Sequence, residues 1–171
     1  MIDVGTGSGC IPISILKNVD RSIQTFAIDV SRPALRMAKK NAKKHAVKIN
    51  FLHGNLVEPL LKNYKLQATK LIITANLPYL TEQQFQTEPS IQREPKQALV
   101  AKKNGLALYE KLLEQIKFLN PNFNFQISAF FEIDPSQTNA ISVLIKQILP
   151  EATVEIKKDL AGLDRLVIIT L

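Results

Sequence analysis

Apolar positions along the chain come in two rhythms, short continuous runs and stripes at helical spacing, and the two alternate. Met1-Ile2-Asp3-Val4 reads as a short buried strand, Gly5-Thr6-Gly7-Ser8-Gly9 as a sharp turn, and Ile11 to Leu16 as the first turns of a helix. Thr25-Phe26-Ala27-Ile28 is a second strand ending at Asp29. Pro33 to His45 predicts a helix with Ser31 as N-cap, Pro33 in the first turn and an apolar stripe of Leu35, Ala38, Ala42 and Ala46. Val47 to Leu52 is a third strand. Lys70 to Ala75 is a fourth, apolar enough to be covered on both faces. Leu80 to Lys103, rich in Gln and Glu and carrying Pro89 and Pro95, predicts a loop region. Beyond it, Tyr109, Leu112, Leu113, Ile116 and Leu119 mark a helix that Asn120-Pro121-Asn122 stops. Phe123, Phe125, Ile127 and Ala129 alternate as a strand running to Glu132. Ala140, Ile141, Leu144, Ile145 and Ile148 form another helical stripe, and Val154 to Ile156 and Arg165 to Leu171 are two closing strands.

This alternation predicts an α/β fold, a mostly parallel sheet with helices on both faces, whose right-handed crossovers bring the strand ends to one edge. Ligands of such sheets sit outside that edge. Three features of the sequence meet there: the glycine turn after the first strand, Asp29 at the end of the second, and Asn76-Leu77-Pro78-Tyr79 after the fourth. Glycine lets backbone approach a ligand that any Cβ would repel. The spacing is G-x-G-x-G rather than the G-x-G-x-x-G of dinucleotide sites, which argues against NAD. An acidic residue about 20 positions beyond such a turn accepts hydrogen bonds from ribose hydroxyls, and Asp29 suits that place.

Composition narrows the class. With 171 residues, 46% hydrophobic and 22% charged, the chain suits a single globular domain. No apolar run is long enough to span a bilayer and no signal-peptide plan opens the chain, so a cytoplasmic protein without membrane contact is expected. Cys10 is the single cysteine, and no Cys/His spacing offers a metal site. The net charge of +7 leaves contact with RNA or the ribosome open. Much of it sits in Arg32, Arg36, Lys39, Lys40, Lys43, Lys44 and Lys48, which read first as the solvated face of an amphipathic helix.

The stretches D-V-G-T-G-S-G, A-I-D-V-S and N-L-P-Y resemble class I methyltransferases that use S-adenosylmethionine. Others narrow the resemblance: Ala34-Leu35 to Asn41-Ala42, Arg93-Glu94-Pro95 with Ala98-Leu99, Asn104-Gly105-Leu106 with Tyr109, Glu132-Ile133 with Gln137, and Lys158 to Gly162 with Asp164-Arg165. They are similar to the release-factor glutamine methyltransferases, through nearly the whole chain.

The resemblance implies a Rossmann-like class I methyltransferase fold, a mostly parallel sheet flanked by helices with an antiparallel closing strand. It implies one catalytic domain over residues 1–171. That family carries a helical N-terminal domain that docks the release factor, so an N-terminally truncated form is expected. S-adenosylmethionine would be held by Asp3, Gly5, Thr6, Gly7, Gly9, Asp29, Val30, Asn55, Leu56 and Asn76. The acceptor would be the glutamine of a Gly-Gly-Gln loop in a peptide chain release factor, with Asn76, Leu77, Pro78 and Tyr79 as the catalytic group. The Asn76 side-chain oxygen and the Leu77 carbonyl would hold the two amide N–H groups and aim the nitrogen, Pro78 would stiffen the turn, and Tyr79 would pack on the amide.

Two positions depart from the family: Leu77 stands where the first proline of N-P-P-Y is usual, and Asn55 where aspartate is. N-L-P-Y is also the form of the ribosomal RNA adenine dimethyltransferases, so adenine methylation stays open. A degenerate, non-catalytic methyltransferase domain is the third reading.

Overall fold

The computed structural model describes residues 1–19, 23–63, 69–123 and 126–171. Strands β1 (Ile2–Val4), β2 (Phe26–Asp29), β3 (Asn50–His53), β4 (Lys70–Ala75), β5 (Gln126–Glu132), β6 (Thr153–Lys158) and β7 (Asp164–Thr170) form one sheet in the order β3-β2-β1-β4-β5-β7-β6. The first five pair in parallel, and β7 runs antiparallel between β5 and β6. The helices are α1 (Cys10–Lys17), α2 (Arg32–Lys44), α3 (Glu58–Asn63), α4 (Glu82–Thr87), α5 (Ala107–Phe123) and α6 (Thr138–Ile148). Strand order runs outward from β1 in one direction and from β4 in the other. Right-handed crossovers therefore put α1 and α2 on one face and α5 on the opposite one.

The core follows the predicted stripes. Tyr109, Leu112, Leu113, Ile116 and Leu119 of α5 are all fully buried, against Ile73, Ile127 and Phe131 of the sheet. The Tyr109 and Phe131 rings stand 5.1 Å apart between centroids. Each buried Leu or Ile contributes about 1.5–3 kcal/mol over its exposed state, so this stripe anchors α5 firmly under the β4 and β5 ends. On the other face, α2 buries Leu35, Ala38 and Ala42 and leaves Arg36, Lys39, Lys40, Lys43 and Lys44 in solvent. Among the described residues no helix is long and apolar enough to cross a membrane.

The elements differ from expectation in several places. Ala46 is exposed at φ 54 rather than part of the α2 stripe. Its neighbours close the helix, with Ala46 N donating to Lys43 O and Val47 N to Ala42 O, so the chain is spent on a helix exit and β3 starts only at Asn50. Helix α5 continues to Phe123 through the expected stop at Asn120 to Asn122, because its buried stripe outweighs a local turn preference. Phe123 is thus helical rather than the start of a strand, and Phe125 lies outside the described residues. The expected loop from Leu80 to Lys103 contains α4 and two 3-10 turns, Pro89–Ile91 and Lys96–Ala98. A capping box starts α4, with Thr81 Oγ1 accepting from Gln84 N at 3.1 Å and Thr81 N donating to Gln84 Oε1 at 2.8 Å.

Candidate active site

Val4 pairs with Ala75, so the turns leaving β1 and β4 emerge side by side where the strand order reverses. The glycine turn is held from the β2 side. Gly5 N and Thr6 N both donate to the Ile28 carbonyl, at 2.9 and 3.0 Å. Gly7 N donates to Asp29 Oδ2 at 2.8 Å, and Ser31 N to Asp29 Oδ1 at 2.7 Å. One carboxylate thereby fixes both the glycine turn and the start of α2, with lone pairs left on each oxygen. Gly5 sits at φ +70, and a Cβ there would come within 2.9 Å of Leu77 Cδ2. The positive φ favours glycine here, and any larger residue would also push the Leu77 side-chain tip aside.

Two cavities open along this edge. The smaller, about 270 Å³, is walled by Ile28, Asp29, Val30, Asn55, Leu56 and Leu108 together with Gly5, Gly7 and Asn76 to Pro78. Val30 is 54% exposed there, an apolar surface that a flat ring would cover. The larger, about 790 Å³, lies between the glycine turn and the α4 region and includes Thr6, Tyr79, Gln84, Glu88 and Glu94. Gly5, Gly7, Asn76, Leu77 and Pro78 line both. The smaller cavity has an apolar slot, a carboxylate and a glycine turn, which fits a nucleoside carrying a ribose diol.

The Asn76-Leu77-Pro78-Tyr79 turn is clamped from behind. Asn76 Nδ2 donates to Glu132 Oε2 at 2.9 Å and Tyr79 Oη to Glu132 Oε1 at 3.2 Å. Leu77 N donates to Tyr109 Oη at 3.3 Å, and the Tyr109 hydroxyl donates to the Glu132 carbonyl. Gln137 Nε2 donates to both the Tyr79 and the Asn104 carbonyls at 2.8 Å. Burial, then the charge of Glu132 and its hydrogen bond, push the Tyr79 phenol up; burial pushes Tyr109 up as well. Both phenols stay protonated donors at neutral pH.

Most expected binding positions come together: Gly5, Thr6, Gly7, Asp29, Val30, Asn55, Leu56 and Asn76 line one cavity or both. Asp3 and Gly9 do not. Asp3 is buried beneath the turn, where its Oδ1 accepts from Thr74 Oγ1 at 2.6 Å. Burial, opposed in part by that hydrogen bond, pushes its carboxyl up to about 6. Gly9 caps α1 and faces Ala38 of α2. Arg165 anchors a loop, donating to Asp159 and to the Ile133 carbonyl. His53 contacts the Val30 carbonyl at 3.0 Å at a strand end, and His45 is exposed. Among the described residues no group of His, Cys, Asp and Glu is arranged to hold a metal. Glu132, Gln137, Gly105 and Tyr109 stood in the stretches that carry the family resemblance, Tyr109 also in a helical stripe and Glu132 at a strand end; their convergence on one turn had no signal in the spacing.

The fold and this edge define the class I methyltransferase architecture. A family model, the methyltransferase small domain, matches residues 1–105, and the chain belongs to that family. It is 37% identical over 170 residues to the release factor glutamine methyltransferase of Enterococcus faecalis and 36% identical over 169 residues to that of Staphylococcus aureus, covering 98% of this chain in each case. The chain spans 58% of the length of these two relatives. Among solved structures, a methyltransferase from Pyrococcus furiosus superposes with a TM-score of 0.63 at 14% identity, over 99% of this chain and 72% of that one. The N-terminal domain of human METTL16 in complex with SAH gives 0.59 at 18% identity, over 99% and 59%. At these identities the likeness concerns the fold.

Proposed function

We propose that this chain transfers a methyl group from S-adenosylmethionine to the side-chain amide nitrogen of a glutamine in a peptide chain release factor. The observation that carries the reading is the wall of Gly5, Gly7 and Asn76 to Pro78 shared by the two cavities. It separates a nucleoside-sized slot from a space large enough for an acceptor side chain. The similarity to curated release factor glutamine methyltransferases over 98% of the chain supports the same acceptor.

In this reading Asp29 accepts from the ribose hydroxyls, Ile28, Val30 and Leu56 flank the adenine, Asn55 accepts from its amino group, and the glycine turn adjoins the methionine part. The bound cofactor supplies an electrophilic methyl on a sulfonium. An amide nitrogen is a poor nucleophile because its lone pair is delocalised, so holding and aiming it is the main contribution open to the protein. The Asn76 oxygen and the Leu77 carbonyl accept from the two amide hydrogens, and Tyr79 packs beside the amide plane. The nitrogen gains the methyl as the carbon–sulfur bond breaks, and one amide proton leaves to solvent.

A protein acceptor is favoured over RNA by Glu88 and Glu94, carboxylates on the wall of the larger cavity that would repel a phosphate backbone. Labelled methyl transfer tests the choice, with a purified release factor, the same factor with its loop glutamine replaced, and ribosomal RNA as acceptors. The reading expects label on the intact factor alone. Label on RNA alone, or none on any acceptor from a chain shown to be folded, overturns it.

A further inference from the structure

We propose that Glu132 is a positioning residue that sets which end of the Asn76 carboxamide faces the acceptor. The inference rests on the glutamine reading above. A carboxylate has no hydrogen to give, so an Asn76 side chain bonded to Glu132 must present its NH2 group to it, as the 2.9 Å contact from Nδ2 to Oε2 records. The carbonyl oxygen Oδ1 is then the end left for a ligand. This matters because the acceptor is itself an NH2 group. Were the Asn76 amide free to turn over, half of its orientations would set donor against donor and leave the nitrogen unaimed.

The second Glu132 oxygen accepts from the Tyr79 hydroxyl at 3.2 Å, and the Glu132 carbonyl takes the Tyr109 hydroxyl hydrogen. Tyr109 in turn accepts from Leu77 N at 3.3 Å. One residue at the end of β5 therefore ties together the side chains of the first and last residues of the turn and, through Tyr109, its backbone. Glu132 itself lines neither cavity. It does not reach the acceptor as a base, and its influence passes through Asn76 and Tyr79.

The test is Glu132→Gln in the full chain, which keeps shape and volume but carries an NH2 group that can donate to Asn76 and so allow the reversed orientation. Folding is checked by thermal denaturation. With the release factor as substrate, kcat is expected to fall by about 10- to 100-fold, the scale of a misaimed reacting group, while KM for the factor and the affinity for S-adenosylmethionine stay within about twofold. In parallel, the Asn76 side-chain amide resonances of 15N-labelled protein, assigned through Asn76→Ser, are expected to be displaced in the wild type by the carboxylate and to move in Glu132→Gln. An unchanged kcat overturns the inference, as does an equal loss of cofactor affinity. If the wild type itself fails to methylate the factor, the glutamine reading fails, and the resonances still decide for Glu132: displaced and moving supports it, unmoved overturns it.

Discussion

The Gln137 side-chain amide donates to the Tyr79 carbonyl at 2.8 Å across 58 residues of sequence. The same nitrogen donates to the Asn104 carbonyl, so the residue before Gly105 and the last residue of the N-L-P-Y turn share one donor. The site is thus built by packing a turn against a second turn, with Gln137 as the pin. Gln137 is itself held, its Oε1 accepting from Asp134 N at 3.1 Å.

Gly105 allows that packing. It sits at φ +84, and a Cβ there would lie 1.8 Å from the Tyr79 carbonyl oxygen. Gly105→Ala is expected to cost roughly 2–4 kcal/mol from backbone strain and overpacking together, measured by urea unfolding, and to reduce methyl transfer because Tyr79 must move.

Leu77→Pro, which writes the more usual N-P-P-Y, is expected to weaken this protein. Leu77 N donates to Tyr109 Oη, and the side chain is only 4% exposed. Losing the donor and part of the buried surface should cost roughly 1–3 kcal/mol, read as a lowered thermal midpoint. Equal or greater stability of the variant would show that the chain stiffness gained from proline offsets the lost Tyr109 contact and buried surface.

Asp29→Ala removes the acceptor of both Gly7 N and Ser31 N. Cofactor affinity is expected to drop by at least about 10-fold, the scale of a charge-assisted hydrogen bond, measured by calorimetric titration. Asp29→Asn, which keeps an acceptor oxygen, should lose less.

Asp3 predicts a pH dependence of stability. Its carboxyl is pushed up to about 6 from a value of 3.8 by burial first of all. The folded chain therefore binds this proton more tightly than the unfolded chain. The contribution is fully present below about pH 4 and is lost as pH rises through about 6, amounting to as much as about 3 kcal/mol. Denaturant unfolding between pH 4 and 7 should show that decline in the wild type, and Asp3→Asn should flatten it.

The sheet, its mostly parallel pairing and the strand ends that carry Gly5, Asp29 and Asn76 were legible because short apolar runs beside turn residues mark buried strands; β4, expected to be covered on both faces, is so covered only from Ile73 to Ala75, with Ile72 37% exposed. Local chemistry was legible too: the Ser31 cap of α2 forms as read, its Oγ accepting from Ala34 N. Helix α4 could have been read from Thr81 and Gln84, whose spacing is that of a capping box. The six-residue α3 was missed because so short an element has no full apolar period. Asp3 stood in the glycine motif and was expected at the cofactor; nothing in its spacing says that Thr74 of the neighbouring strand takes its oxygen below the cavity floor. Glu132 and Gln137 act across 56 and 58 residues, a range over which spacing carries no geometry.

The most direct test of the glutamine reading is tandem mass spectrometry of a release factor incubated with this chain and S-adenosylmethionine. A single added methyl, localised by fragmentation to the side chain of one glutamine and abolished by Asn76→Ala, is the expected result. A methyl on any other residue, or an unmodified factor from a chain that binds the cofactor, would contradict it.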